Sequence, residues 1–137
     1  MYLIDTNVLS ALRRPDKADP TFKGWVQATP PEEMYLSVLS VYEMKFGALR
    51  VARRDPRQGG DLNRWIEKFV LKAFADRIFD VSTSIALRCA ALHVPDPRPV
   101  TDSLIAATAL EHQLTVATRN VSDFLPMGVR VLNPWQA

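Results

Sequence analysis

Apolar residues along this chain fall into two kinds of pattern, short continuous runs and runs at helical spacing, and the two alternate. Met1 to Ile4 is a strand candidate. Asp5-Thr6-Asn7 follows it with side chains suited to capping a helix, which Val8, Leu9, Ala11 and Leu12 continue and Pro15 stops. Phe22, Trp25 and Val26 predict a short helix over Thr21 to Ala28, closed by Pro30-Pro31. Met34 to Val38 is a second strand. Ser40 is placed to cap a long helix reaching about Arg54, with Val41, Met44 and Ala48 facing inward. Pro56 and Gly59-Gly60 predict a turn. Leu62, Trp65, Ile66, Phe69, Val70 and Phe74 then predict a second long helix from Asp61 to Ala75. A brief strand is expected at Ile78 to Val81, and a helix from Ser82 or Thr83 through His93. Pro95, Pro97 and Pro99 make a stiff loop, and Thr101 is placed to cap the helix that holds Asp102, Leu104, Ile105 and Leu110. Leu114 to Ala117 and Val129 to Leu132 are the last strand candidates, with a loop or short helix around Thr118 to Phe124.

Strands that alternate with helices require crossover connections, so the expected class is α/β, with a mainly parallel central sheet covered by helices on both faces. No repeat or composition shift divides the chain, and residues 1–137 read as a single domain.

Composition narrows the setting. With 47% apolar and 23% charged residues the chain has material for a core. Its longest apolar runs fall well short of the ~20 residues of a membrane-spanning helix, and its start lacks the pattern of a secretory signal, so no membrane partner and a cytoplasmic location are expected. The one cysteine, Cys89, lies among Leu87, Ala90 and Ala91 and reads as a core residue. A net charge of +2 says little about nucleic acid by itself, because phosphate affinity depends on where the charges lie.

Four acids matter more than the total. In an open parallel sheet, ligands bind beyond the carboxyl ends of the strands, where Asp5 and the segment after Ala117 emerge. Glu43 lies near the start of the helix after the second strand, Asp102 opens the helix before the fourth, and Asp123 follows that strand. Carboxylates gathered in one cleft repel one another unless a cation compensates, and hard oxygen ligands favour Mg²⁺, with Mn²⁺ as the alternative. There is no HExxH pair, and His93 and His112 lie far apart, so zinc is disfavoured.

Here the chain resembles a family. Leu3-Ile4-Asp5-Thr6-Asn7-Val8-Leu9 is similar to the opening of PIN domains, particularly the VapC-type toxins of bacterial toxin-antitoxin pairs. Ser40-Val41-Tyr42-Glu43-Met44-Lys45-Phe46-Gly47, Asp102 to Ala109 and Ala117 to Phe124 resemble the later motifs in order and spacing. The resemblance implies a three-layer α/β/α PIN-like fold and a Mg²⁺-dependent endoribonuclease acting on single-stranded RNA, leaving a 5′-phosphate and a 3′-hydroxyl. It further implies a cognate antitoxin and a homodimer. Asp5, Glu43 and Asp102 would hold the ion directly or through water, and Asp123 would complete the pocket. Thr6, Asn7, Ser40 and Thr118 would orient those carboxylates or the attacking water. Some relatives carry an acid where this chain has Asn120, so Asn120 and Asp123 compete for the fourth position.

Two other readings remain at this level. A haloacid dehalogenase-like phosphohydrolase would use Asp5 as nucleophile, but Asn7 stands where its second Asp belongs. A non-catalytic PIN-like module binding RNA or protein has Asn120 as its support.

Arg50, Arg53, Arg54 and Arg57 share one helical face, as do Arg64, Lys68 and Lys72, and either stripe is a solvated face or an RNA surface. Arg50, Arg54 and Arg119 are the RNA-binding candidates, with Arg98 weaker. Trp25, Trp65 and Trp135 are expected to pack rather than to stack on bases.

Overall fold

The computed structural model describes residues 1–14, 17 and 19–137. Pro15, expected to stop the first helix, lies outside them.

Five short strands, β1 (Tyr2–Ile4), β2 (Met34–Ser37), β3 (Ile78–Phe79), β4 (Thr115–Ala117) and β5 (Val131–Leu132), form one sheet in the order β3-β2-β1-β4-β5. Every pairing is parallel. From β1 the chain moves outward to β2 and β3, then crosses back to lay β4 on the other side of β1. The order reverses at β1, and such a switch point opens a crevice beyond the strand ends.

Successive side chains of a strand point to opposite faces, and β1 uses both. Ile4 joins Val8, Leu9, Phe22, Met44, Ala48, Ile66 and Val70 on one face. Leu3 joins Ile105, Ala106, Ala109, Val116 and Phe124 on the other. The first layer comes from α1 (Thr6–Leu12), α2 (Pro20–Ala28), α3 (Val38–Arg54) and α4 (Pro56–Trp65), the last running through a π-helical stretch, Ile66–Val70, into α5 (Leu71–Ala73). The second comes from α7 (Val100–His112) and the short α8 (Val121–Phe124). The helix α6 (Thr83–Leu92), capped by Ser82, packs on α7 through Ile85, buried Cys89 and Ala107. Three layers and a parallel sheet agree with the expectation from sequence.

Three local expectations are corrected. Ser37, not Ser40, caps α3, its hydroxyl accepting from the Leu39 amide at 3.0 Å. Ser40 is fully buried in the first turn and donates a long 3.4 Å bond to the Ile4 carbonyl. Thr101 lies inside α7, which starts at Val100 after Pro99 without a side-chain cap. Gly59 and Gly60 do not open a turn but lie within α4, started by Pro56 and capped by Asp55. A Cβ on Gly59 would lie 2.4 Å from the Ala52 Cα, so this glycine lets α4 pack against α3.

Candidate active site

Asp5 is the first residue past β1. Its amide donates to the Ala117 carbonyl at 3.0 Å, the last rung between β1 and β4, before the chain turns into α1. The structure makes it the helix cap that its neighbours suggest: Oδ1 accepts from the Thr6 amide at 2.8 Å. Oδ2 accepts from the Thr118 hydroxyl at 2.7 Å and from the Asn7 amide group at 3.3 Å. Only 6% of Asp5 is exposed, so the carboxylate is fixed by donors from two strand ends.

Thr118 is fully buried at the end of β4, where its amide donates to the Leu132 carbonyl. Its hydroxyl oxygen also accepts from the Asn120 amide at 3.0 Å and from Asn7 at 3.3 Å. The Asn7 side-chain oxygen, Oδ1, accepts from the Arg119 backbone amide at 3.2 Å. Asn7 thereby ties the β1 turn to the β4 turn. Glu43 projects from α3 and accepts from the Thr6 hydroxyl at 2.6 Å.

The remaining acids are joined to these through their charge. Burial pushes Asp102, in the first turn of α7, up to about 6, and the carboxylates of Asp5, Asp123 and Glu43 add to that rise. Asp5 is also raised by burial; the bonds from Thr118, Thr6 and Asn7 oppose the rise, and Asp123 adds to it. All four acids named from sequence therefore act in one electrostatic neighbourhood. Among the described residues none of them is in a salt bridge; the ion pairs lie elsewhere, as in Lys45–Glu67 and Arg88–Glu111. The fourth position divides by chemistry: Asn120 contributes its backbone amide to Thr118, while Asp123 contributes negative charge.

Such a cluster suits a hard divalent cation, which would relieve the mutual repulsion of the acids. Among the described residues no three His, Cys, Asp or Glu side chains are gathered into a ready-made metal cage. The donor set fits an ion that keeps part of its water shell and takes one or two carboxylates directly, the habit of Mg²⁺.

Of the basic candidates, Arg50 and Arg54 lie seven and eleven residues after Glu43, on the same face of α3, and line a small groove with Gly47 and Val51. Arg119 is exposed one residue past Thr118. Sequence periodicity does not mark Arg13, Arg14 and Lys17, yet they line a cleft together with Arg119. Trp25 and Trp65 pack against the core as expected. Trp135 packs there too, on Phe22, and additionally lies under the Arg119 guanidinium.

A strand-end aspartate clamped by a threonine, with three further acids in its electrostatic neighbourhood at the switch point of a parallel sheet, defines an α/β protein with an acidic site suited to a divalent cation. Residues 2–124 match the PIN domain, and the chain belongs to the PIN-domain family. It is 33% identical to Toxin FitB of Neisseria gonorrhoeae, covering 98% of this chain and 99% of that protein. It is 36% identical to VapC ribonuclease Y4jK of Sinorhizobium fredii, covering 99% of each. The crystal structure of FitAcB from Neisseria gonorrhoeae superposes with a TM-score of 0.89 at 32% identity over the whole of both chains. A toxin-antitoxin complex from Klebsiella pneumoniae matches with a TM-score of 0.68 at 29% identity, covering 98% of each chain.

Proposed function

We propose that this chain is the endoribonuclease toxin of a toxin-antitoxin pair, hydrolysing phosphodiester bonds of single-stranded RNA with Mg²⁺ or Mn²⁺. The carrying observation is Asp5: buried, held by Thr6, Asn7 and Thr118, and surrounded by the charges of Asp102, Asp123 and Glu43. Full-length similarity to a VapC ribonuclease and to FitB supports the same reading.

On this reading Asp5, Glu43 and Asp102 hold the ion, directly or through water, and Asp123 completes the acidic wall. A bound divalent ion supplies charge neutralisation at the phosphate and a more acidic water for in-line attack. Thr118 and Asn7 fix the Asp5 carboxylate so that it need not reorganise when substrate arrives, and Thr6 does the same for Glu43. Ser40 braces α3 on the end of β1. Arg50, Arg54 and Arg119 supply positive charge to receive the RNA backbone. The phosphohydrolase reading gains nothing from the fold, because Asn7 stands where its second aspartate belongs and donates to Asp5 instead of supplying a second carboxylate.

The partners follow from the same assignment: an antitoxin that restrains the enzyme, and a second copy of this chain. α3 exposes Tyr42, Phe46 and Leu49 on one face, an apolar strip suited to pairing. Among the described residues no helix is long and apolar enough to cross a membrane, and the RNA substrate puts the site of action in the cytoplasm.

The decisive experiment incubates purified protein with a panel of defined tRNA and mRNA and either metal, beside Asp5→Ala. The wild type should cut and the variant should be at least about 100-fold slower. Equal rates, or no cleavage of any RNA, would remove the proposal.

A further inference from the structure

A cluster of basic side chains lies beside the acidic site. Arg13 and Arg14 at the end of α1, Lys17 beyond it, and Arg119 from the turn after β4 line a cleft of about 580 Å³, with Trp135 in its wall. Among the described residues Asp19 is the one acid lining it, and its carboxylate already caps α2 through the Thr21 amide at 2.8 Å. The lining of the cleft is tied to the acidic site by the covalent chain of α1 and by a hydrogen bond. Its lining residues Ser10 and Ala11 stand one turn of α1, about 5 Å, beyond Asn7, and Arg119 donates its amide to that same Asn7.

Trp135 gives the cleft its order. The Arg119 guanidinium carbon lies 3.9 Å from the centre of the indole, and the indole is itself stacked on buried Phe22 with ring centres 4.6 Å apart. An exposed arginine ordinarily pays rotamer entropy to grip a phosphate; one laid flat on an anchored aromatic ring has already lost much of that freedom.

We propose that this cleft binds the RNA strand next to the scissile bond: Arg14, Lys17 and Arg119 take the flanking phosphates, and Trp135 is the positioning residue that holds Arg119 toward them. The proposal rests on the ribonuclease reading for the identity of the ligand. Four cations converging on a cleft match a polyanion, and its place one helical turn from Asn7 puts the bound strand within reach of Asp5.

The test separates binding from cleavage. Affinity for a fluorescein-labelled single-stranded RNA oligonucleotide is measured in the Asp5→Asn background at several salt concentrations. Adding Arg14→Ala with Lys17→Ala, both exposed positions, should weaken binding by about tenfold or more and flatten the plot of log affinity against log salt by about 1.4, the value for two single-strand phosphates. Arg119→Lys should weaken binding while leaving the salt slope unchanged, because the charge stays and the stacking geometry goes. Arg119→Ala should reduce both. Arg130→Ala, at the opposite end of the sheet, should change neither.

Unchanged affinity and slope in the Arg14/Lys17 variant would overturn the proposal, as would an equal loss in Arg130→Ala. So would a variant that loses only its grip on the antitoxin. Cleavage by the otherwise unaltered protein is scored separately, so an inactive enzyme whose RNA binding still follows this pattern sinks the nuclease reading and leaves the cleft standing.

Discussion

The Thr118 hydroxyl donates to the Asp5 carboxylate at 2.7 Å across 113 positions of sequence, and the bond is buried. It exists because Ile4 and Ala117 are partners in the β1–β4 ladder, so the residues that follow each strand emerge side by side. The sheet register, rather than any local motif, brings the two together.

Thr118→Val tests that bond with little change of shape. Removing the donor leaves a buried carboxylate short of one partner and strips the Asn7 and Asn120 donors of their acceptor. Activity on RNA should fall by about 10–100-fold, as when an outer-shell partner of a metal ligand is lost. Stability should drop by about 1–3 kcal/mol. Steady-state cleavage and urea unfolding measure the two effects; a variant with both unchanged would show that Asp5 does not depend on Thr118.

Asp102 carries a pH dependence whose sign is fixed by the direction of its shift. Its carboxyl titrates near 6 in the folded chain and near 3.8 without the burial and the neighbouring acids. The folded state therefore holds the proton more tightly, and its contribution to metal-free stability is complete below about pH 4 and lost as pH rises through 6. Because Asp102 is partly exposed, water screens the effect to the order of 1 kcal/mol. Asp102→Asn should remove this slope and stabilise the metal-free protein at pH 7. Mg²⁺ should raise the melting temperature of wild type more at pH 7.5 than at pH 5, where protons compete with the ion. Thermal melts across pH with and without Mg²⁺ test both; a pH-independent Mg²⁺ effect would remove Asp102 from the site.

Gly59→Ala should cost about 1–3 kcal/mol through crowding, although alanine is the better helix former. The added Cβ meets Ala52, whose own Cα and Cβ are 2.4 Å away, so α3 and α4 must separate. Gly60→Ala meets only the Arg64 guanidinium at 3.8 Å and should be neutral or slightly stabilising. The urea midpoint should fall for Gly59→Ala and hold or rise slightly for Gly60→Ala, and equal effects would contradict the close α3–α4 packing at Gly59.

Phe46→Lys tests the second copy. Phe46 is exposed on α3, stacked on Tyr42 and beneath the Arg50 guanidinium, so the change should leave the fold intact and place a charge in the apolar strip. Sedimentation should find wild type as a dimer and the variant as a monomer. A wild type that sediments as a monomer at tens of micromolar would place the pairing face elsewhere or nowhere.

The strand–helix alternation is legible because each strand is a short apolar run and helices such as α3 and α4 show their period, whereas α7 is buried on most sides and is marked instead by its apolar content after the proline loop; the candidate acids are legible because they sit at strand ends and near helix starts. Errors arose where one residue type serves two purposes. Gly59 reads as a chain breaker, yet its missing side chain serves helix–helix contact. Ser40 reads as a cap, but the helix already begins at Val38 and its hydroxyl turns inward. Pro99 opens α7 where Thr101 looked the better cap. The basic cleft was least legible, since Arg14, Lys17, Arg119 and Trp135 come from distant segments and meet only through tertiary packing.

The central place of β1 also sets the order in which the pocket can be completed. A growing chain makes Asp5 almost at once, but its partner strand on one side, β4, is followed by the threonine clamp more than a hundred residues later. Until β4 has docked, the acid lacks Thr118 and the carboxylate of Asp123. A nascent chain still missing that segment therefore carries the key residue of a nuclease without the machinery around it, and the ribosome making it works beside an enzyme not yet armed.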